Sequence, residues 1–272
     1  MKIESDNGVI KLLGGGREQS VWRRNDPEFI ANTYIRTMAI AALTWPGYIP
    51  RKKGRVLMIG LGGGILCKFL LRHFPSLAIE AVEPNRKVVE LARQHFDLDH
   101  RVYVHADDGR NFLAKQTGKY DMIVLDAFDK VYIPPELMSA EFLTIVKERL
   151  APDGIYIANT WVVKNLTQHE SATYRLVFEN PWDFRRNPNT DGNRIILVNP
   201  GIENNAAALG DLLRDRATFT DERARLDPQA SRKLSYTEIL SKLRIAEVDA
   251  QRNSTILTDA NAKAVRAAAD FE

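Results

Sequence analysis

A run of glycines after a short apolar segment is the strongest chemical signal in this sequence. The apolar segment, Val56 to Ile59, predicts a buried parallel strand, and the glycines predict a sharp turn whose backbone can approach a ligand closely. A helix should begin near Ile65, with its unpaired N–H groups and its positive dipole end beside that ligand. The glycines are Gly60, Gly62, Gly63 and Gly64.

An acidic residue, Glu83, stands about twenty positions later, at the end of a second apolar run. At the tip of the next parallel strand, its carboxylate can accept hydrogen bonds from both hydroxyls of a ribose. A dinucleotide site would need another glycine where Ile65 stands, so an adenosyl sulfonium compound is the better match. A glycine turn alone also occurs in connections that bind no ligand. The prediction of a nucleoside site therefore depends on finding the glycine turn and Glu83 together.

Two more acidic groups follow predicted strands. Asp107, Asp108 and Gly109 come directly after the third strand, and Asp126 follows the fourth. One of the paired aspartates could accept a hydrogen bond from an adenine amino group while the other caps the next helix, with Gly109 leaving room for the ring. Because ligands of open α/β sheets lie outside the carboxyl ends of the strands, Glu83, Asp108 and Asp126 should converge on one crevice.

The rest of the sequence predicts the elements that position these residues. Residues 1–50 predict a short β-hairpin and then a helix from about Pro27. Residues 51–203 alternate strands and helices, as in an α/β fold with a mainly parallel sheet and helices on both faces. A late strand over 194–199 should pair antiparallel with its predecessor. Residues 204–272 are rich in arginine and alanine and predict a helical extension.

Composition limits the possible functions. The 272-residue chain carries a net charge of +3, and its cationic residues are spread along the sequence, so no nucleic-acid partner is expected. No segment reaches a membrane-spanning length and the start of the chain lacks a signal-peptide pattern, which predicts a cytoplasmic protein with no membrane partner. The single cysteine, Cys67, should pack in the core, and the histidines show no metal-ligand spacing, so no metal is expected.

Taken together, these motifs resemble the spermidine synthases and their bacterial relatives, which transfer aminopropyl groups to polyamines. The family's catalytic domain has the class I adenosylmethionine-dependent transferase fold, which is Rossmann-like. The resemblance runs from about residue 8 to residue 199. It rests on GGGREQS at 14–20, GLGGG at 60–64, VEP at 82–84, DGR at 108–110, DAFD at 126–129 and IPPEL at 133–137.

The resemblance implies a role for several residues. Glu83 would hold the ribose of the donor, Asp108 its adenine and Gln19 its sulfur side. Asp126 would deprotonate or orient the attacking amine, and Asp129 matches the second acid of the family's D-S-S-D motif. Two neighbouring carboxylates would raise the pKa of one of them, which suits a base at neutral pH. A homodimer and a small-molecule amine acceptor are also implied.

The acceptor side departs from the family pattern. Members that move an aminopropyl group carry an aspartate where this chain has Gly63, and a glutamate where it has Arg36, two residues after Tyr34. An arginine there would repel a polycation and attract the carboxylate of ordinary adenosylmethionine. Trp161 would either floor the acceptor pocket or pack in the core. Residues 128–138 would form a lid.

Three functions are therefore open at this point. The first is aminopropyl transfer from decarboxylated adenosylmethionine to an amine. The second is methyl transfer from adenosylmethionine on the same fold. The third is binding of a nucleoside without turnover.

Overall fold

The computed structural model describes the chain except for residues 16, 25, 27, 49–51, 187–191, 199–204, 228–233, 270 and 272. Several predicted features lie outside the described residues. They are the boundaries at residues 50 and 203, together with Gly16, Pro27 and Asn199. The division of the chain into three parts therefore stays a prediction.

The N-terminal region forms a small antiparallel sheet. Its strands are β1 (Lys2–Asp6), β2 (Val9–Gly14) and β3 (Arg17–Arg23), in the order β1-β2-β3. Asn7 and Gly8, with φ of 46° and 78°, form the tight turn between β1 and β2. The sequence predicted only one hairpin. It missed β1 because that strand is mostly exposed and has little of the apolar alternation that marks a strand.

Helix α1 (Thr33–Ala42) follows this sheet. The predicted start near Pro27 is wrong, because the preceding residues form a turn in which the Phe29 N–H donates to the Asp26 carbonyl at 3.1 Å. Asn32, immediately before the helix, is extended. Apolar residues are spaced alike in the turn and in α1, so the sequence did not show where the turn ends and the helix begins.

The rest of the described chain builds a second, larger sheet with its helices. In chain order the elements are β4 (Gly54–Ile59), α2 (Ile65–His73), β5 (Leu77–Val82), α3 (Arg86–His95), β6 (Val102–His105), α4 (Gly109–Lys115), β7 (Tyr120–Leu125), α5 (Ala140–Arg149), β8 (Leu150–Trp161), α6 (Thr167–Val177), β9 (Pro181–Arg185), β10 (Asn193–Val198), α7 (Ala206–Arg225), α8 (Tyr236–Ser241), β11 (Arg244–Glu247) and α9 (Ala262–Ala267).

Within the described residues, the large sheet has the strand order β11-β9-β10-β8-β7-β4-β5-β6. Strands β4 to β8 are parallel, and β10 pairs antiparallel with β8 as predicted. From β4 the chain moves outward to β5 and β6, and then returns to place β7 on the other side of β4. The order therefore reverses between β4 and β7, where open α/β sheets bind their ligands.

Both faces of the sheet are covered by helices. In β4, Val56 and Met58 belong to the core cluster that includes α1 and α2, whereas Leu57 and Ile59 belong to the cluster that includes α4 and α5. This alternation explains why the strand is apolar throughout. Cys67 is fully buried in the first cluster. The predicted α/β fold with helices on both faces is confirmed.

The C-terminal extension is not wholly helical. Helices α7, α8 and α9 form, but β11 pairs antiparallel with β9 at the edge of the large sheet, so the prediction of an all-helical extension is wrong there. Four residues with only two apolar side chains gave too little periodicity to reveal this strand. In the part of the chain that the structure describes, no helix has the length and apolar character needed to span a bilayer.

Candidate functional site

The glycine loop joins β4 to α2 at the switch point of the sheet. Gly60, Gly62 and Gly64 have φ of 91°, 52° and 72°, which is the left-handed region that favours glycine. The Gly60 N–H donates to the Val82 carbonyl at 2.9 Å. A Cβ on Gly60 would collide with the backbone carbonyl of Asp126. The loop therefore lies directly against the first residue after β7.

Gly63 is a glycine for a different reason. Its N–H donates to Ser20 Oγ at 2.8 Å, which ties the small sheet to the loop. A Cβ there would lie 2.6 Å from Phe96 Cδ1 and 2.9 Å from Ser20 Cβ. The aspartate that aminopropyl-transferring members carry at this position could not be placed here unless Phe96 moved.

Glu83 is held beside the loop by two backbone groups. Its Oε2 accepts from the Leu61 N–H at 3.3 Å, and its Oε1 accepts from the Asn85 N–H at 3.0 Å. Burial raises the pKa of Glu83, although these two hydrogen bonds oppose the shift. Each carboxylate oxygen keeps acceptor capacity for a further hydrogen bond. The structure therefore fixes this side chain at the loop, as the sequence predicted.

The paired aspartates after β6 divide their roles. Asp108 caps α4, because its Oδ1 accepts from the Asn111 N–H at 2.8 Å, while Asp107 accepts from the Asp108 N–H. Gly109 does not leave room for a ligand ring, since a Cβ there would collide with the side chain of Ile59. That expectation is wrong, and Gly109 instead permits close packing of α4 on β4. Contact of Asp108 with adenine stays a prediction.

Asp126 lies at the end of β7, where its N–H donates to the Ile59 carbonyl at 2.8 Å. Its Oδ1 accepts from Asn159 Nδ2 at 2.8 Å, and Asn159 Oδ1 in turn accepts from Asn193 Nδ2 at 2.9 Å. Burial raises the pKa of Asp126 to about 6, against the opposing effect of the Asn159 hydrogen bond. A carboxylate with this pKa, held in one orientation, is suited to accept a proton near neutral pH.

Asp129 has a different environment. Arg266 Nη2 lies 2.6 and 2.7 Å from its two oxygens, and the Val131 and Tyr132 N–H groups also donate to Oδ1. Partial burial raises the pKa of Asp129, but these contacts outweigh it and lower the pKa below its usual value. The expected coupling of two carboxylates is therefore wrong, since burial, not Asp129, raises the pKa of Asp126.

Tyr34 faces the same crevice as Asp126. Its hydroxyl donates to the Gln19 carbonyl at 3.4 Å. Burial, followed by the charges of Asp126 and Glu18, raises the pKa of Tyr34 well above its usual value. The side chain of Gln19 lies over Gly14, where an added Cβ would be 2.5 Å from Nε2. Contact of the Gln19 side chain with a donor sulfur stays a prediction.

Arg36 is not brought to this crevice. It follows Tyr34 by two positions, and such residues project from nearly opposite sides of a helix. Its Nε donates to the Ile30 carbonyl at 2.6 Å, and it lines a separate cavity with Arg186 and Glu238. Burial and the charge of Arg186 lower the pKa of Arg36. The prediction that Arg36 contacts the donor or the acceptor is therefore wrong.

Trp161, at the end of β8, is partly buried. Its ring stacks on Phe128 with centroids 5.2 Å apart, and it lies 5.7 Å from the ring of Tyr132. The guanidinium of Arg17 lies over the Trp161 ring, 5.4 Å from its centroid. Trp161 also lines an open cavity of about 800 Å³. Trp161 thus packs partly buried against the core, and its predicted role as the floor of an acceptor pocket stays a prediction.

Sequence reasoning missed the partners of the two acids. Asn159 could have been found, because it stands near the carboxyl end of β8 and strand ends had already supplied the other candidates. Arg266 gave no local signal, since it is 137 residues from Asp129. Over the described ranges, no group of three or more His, Cys, Asp or Glu side chains is placed to hold a metal ion.

Comparisons with known sequences agree with this arrangement. A family model described as the spermine/spermidine synthase domain matches residues 31–182. A polyamine aminopropyltransferase from Vibrio vulnificus is 41% identical over 152 residues, which are 54% of this chain and 50% of that protein. The chain thus spans about half the length of the curated relatives it matches.

Two solved structures extend the comparison. A probable spermidine synthase from Corynebacterium glutamicum matches with a TM-score of 0.71 and 19% identity, over 95% of this chain and 92% of that chain, which shows a shared fold. Human methyltransferase-like protein 13, solved in complex with SAH, matches with a TM-score of 0.61 and 25% identity, over 78% and 99%. Because the family model covers more than half of the chain, including the glycine loop, Glu83 and Asp126, this protein belongs to the spermine/spermidine synthase domain family.

Proposed function

We propose that this protein transfers an aminopropyl group from decarboxylated adenosylmethionine to a small-molecule amine. The observation that carries the proposal is Asp126, a partly buried residue whose carboxyl pKa is raised to about 6, beside the glycine loop at the switch point of the sheet. Family membership and the likeness to a polyamine aminopropyltransferase support it. The donor is a co-substrate, and the reaction as proposed needs no metal.

The donor would lie over the glycine loop. The free acceptor capacity of Glu83 suits the two ribose hydroxyls, and Asp108 would accept a hydrogen bond from the adenine amino group. The N-terminus of α2 follows Gly64 directly. The small sheet closes one side of this site through the hydrogen bond between Ser20 and Gly63.

The chemical step would be an in-line displacement. The amine lone pair attacks the carbon attached to the positively charged sulfur, the carbon–sulfur bond breaks, and its electrons remain with methylthioadenosine as the neutral leaving group. An amine must be unprotonated to attack, so Asp126 would take its proton. Asn159 fixes one oxygen of Asp126 and leaves the other to face the amine. Alignment, rather than activation of the leaving group, is the protein's main contribution.

Methyl transfer from adenosylmethionine is the second candidate. A specific observation favours it, because Phe96 and Ser20 fill the space that an aspartate at Gly63 would need. That aspartate is the residue expected to face the amine of the decarboxylated donor. The 25% identity to human methyltransferase-like protein 13 points the same way. Arg36, which lies in another cavity, no longer supports this alternative.

Parallel calorimetry with adenosylmethionine, its decarboxylated form and methylthioadenosine tests the proposal. We expect tighter binding of the decarboxylated donor, and release of methylthioadenosine when an amine is added. Tighter binding of adenosylmethionine, with release of adenosylhomocysteine, would replace the proposal with methyl transfer. Binding of all three without turnover would indicate a nucleoside-binding protein.

Glu83→Gln should weaken the binding of methylthioadenosine. A charge-assisted pair of hydrogen bonds is worth about 1.5–3 kcal/mol, so the dissociation constant should rise roughly 10- to 150-fold. Glu80→Gln is a matched control, because Glu80 lies on the same strand and pairs with Arg55 instead. Calorimetry should show no change for the control. Unchanged affinity in Glu83→Gln would mean that Glu83 does not hold the ribose.

A further inference from the structure

We propose that the amine acceptor carries an anionic group at the end away from its attacking nitrogen, as an amino acid does, rather than a second ammonium group. This inference rests on the proposed function, because it names the acceptor for the same site. It comes from the charges around the open cavity of about 800 Å³ beside Trp161.

The cavity is lined by cations. Arg17, Lys164 and Arg185 line it, and none of its described lining residues is acidic. The other lining residues are Trp161, Val162, Val163, Asn165, Thr167, Gln168, Gly192, Asn193 and Phe271. A second ammonium group would therefore meet like charges in this cavity, whereas a carboxylate would meet opposite charges.

The cavity lies close to the proposed base. Asn193 lines it and donates to Asn159, which in turn donates to Asp126. Trp161 also lines it and stacks on Phe128, two residues after Asp126. An acceptor whose amine lies at Asp126 would therefore extend past Trp161 into the cavity.

Arg185 forms a forked ion pair with Asp183. Its Nε and Nη2 donate to the Asp183 carboxylate at 2.9 and 2.5 Å, and Asp183 Oδ2 also accepts from Arg194 Nε at 2.9 Å. One carboxylate is thus shared by two guanidinium groups. Arg17 lies over the Trp161 ring, and Lys164 is exposed. The cavity is therefore lined by one guanidinium that is paired with a carboxylate, Arg185, and by two exposed cations, Arg17 and Lys164.

The acid that would attract a diamine is already neutralised. Arg266 contacts both oxygens of Asp129 and is nine-tenths buried, so an ammonium group at Asp129 would meet a carboxylate whose charge is already balanced. Asp129 also accepts from two backbone N–H groups, which occupy much of its remaining capacity. The site therefore keeps one acid for the attacking amine, Asp126, and offers cations to the rest of the acceptor.

Matched acceptor probes test the proposal. Protein saturated with methylthioadenosine would be titrated with 4-aminobutyrate and 1,4-diaminobutane, and with the six-carbon pair 6-aminohexanoate and 1,6-diaminohexane, at low salt. We expect at least one amino acid to bind about tenfold tighter than its diamine, because favourable and unfavourable ion contacts differ by at least 1.4 kcal/mol in a partly screened site. Tighter or equal binding of both diamines, or no binding of any probe, would overturn the inference.

Two charge-removing variants sharpen the test. Arg17→Gln and Lys164→Gln should each reduce the preference for the amino acid by about threefold or more. Arg24→Gln is the matched control, since Arg24 is exposed beyond the end of β3 and does not line the cavity. Unchanged preference in both test variants would also overturn the inference. Binding preference does not depend on turnover, so a failure of the proposed transfer would be seen separately, as the absence of released methylthioadenosine.

Discussion

Asp126→Asn should lower kcat by about 100-fold or more, because the amide keeps the shape of the carboxylate but cannot take a proton. The affinity for methylthioadenosine should change by less than about threefold. Asp126 contacts the glycine loop through its backbone, which this substitution leaves in place. Steady-state kinetics and calorimetry on the same preparation would separate the two effects.

The pH dependence provides a second signature of the same group. Its pKa is raised to about 6, so the carboxylate form becomes dominant as the pH rises through this value. In the parent protein kcat/KM should therefore increase between about pH 5 and pH 7, and this limb should be absent from the residual activity of Asp126→Asn. A variant that keeps the limb would assign the titration to another residue.

Asp129→Asn is the comparison that distinguishes a base from a nearby acid. Asp129 is paired with Arg266, and its pKa is lowered, so it is a poor proton acceptor at neutral pH. Its replacement should reduce kcat much less than that of Asp126. Equal losses in the two variants, or a weakened donor with unchanged turnover in Asp126→Asn, would contradict the assignment of Asp126 as the base.

The positions of three residues at strand ends could be predicted from the sequence. Gly60, Glu83 and Asp126 are set by local patterns, since each follows an apolar strand and the carboxyl ends of parallel strands meet at one edge. That rule needs only the strand boundaries and the handedness of the connections. The rule was therefore sufficient to predict that Gly60, Glu83 and Asp126 lie close together.

The surroundings of Asp126 and Asp129 depend on contacts that no local pattern carries. Arg266 contacts Asp129 from the C-terminal extension, and Asn193 is linked to Asp126 through Asn159. Arg36 was misplaced because a motif gives the order of residues but not the side of the helix on which each one lies. Similarly, the sequence suggested only that Gly63 replaces an aspartate of the family. The structure shows that Phe96 packs against this position and leaves no space for a side chain.

Gly60→Ala should have the second large effect, because Gly60 links the donor loop to the base. Two costs combine there. Its φ of 91° is strained for alanine, and the new Cβ would collide with the Asp126 carbonyl and approach Ala127 Cα at 3.2 Å. Backbone atoms cannot rotate away as a side chain would, so the loop and the end of β7 must separate. Together these costs should destabilise the fold by about 3 kcal/mol or more.

Gly8→Ala separates the strain from the collision. Gly8 also has a left-handed φ, of 78°, but a Cβ there would have no heavy atom within 4 Å. This control should therefore cost only the backbone strain, about 1–2 kcal/mol, and leave the affinity for methylthioadenosine unchanged. Gly60→Ala should show the larger fall in thermal midpoint and, in the protein that remains folded, a loss of both nucleoside binding and turnover, because the donor loop and Asp126 move apart. If the two variants have the same thermal midpoint and the same affinity for methylthioadenosine, the contact between Gly60 and Asp126 does not couple the glycine loop to the end of β7.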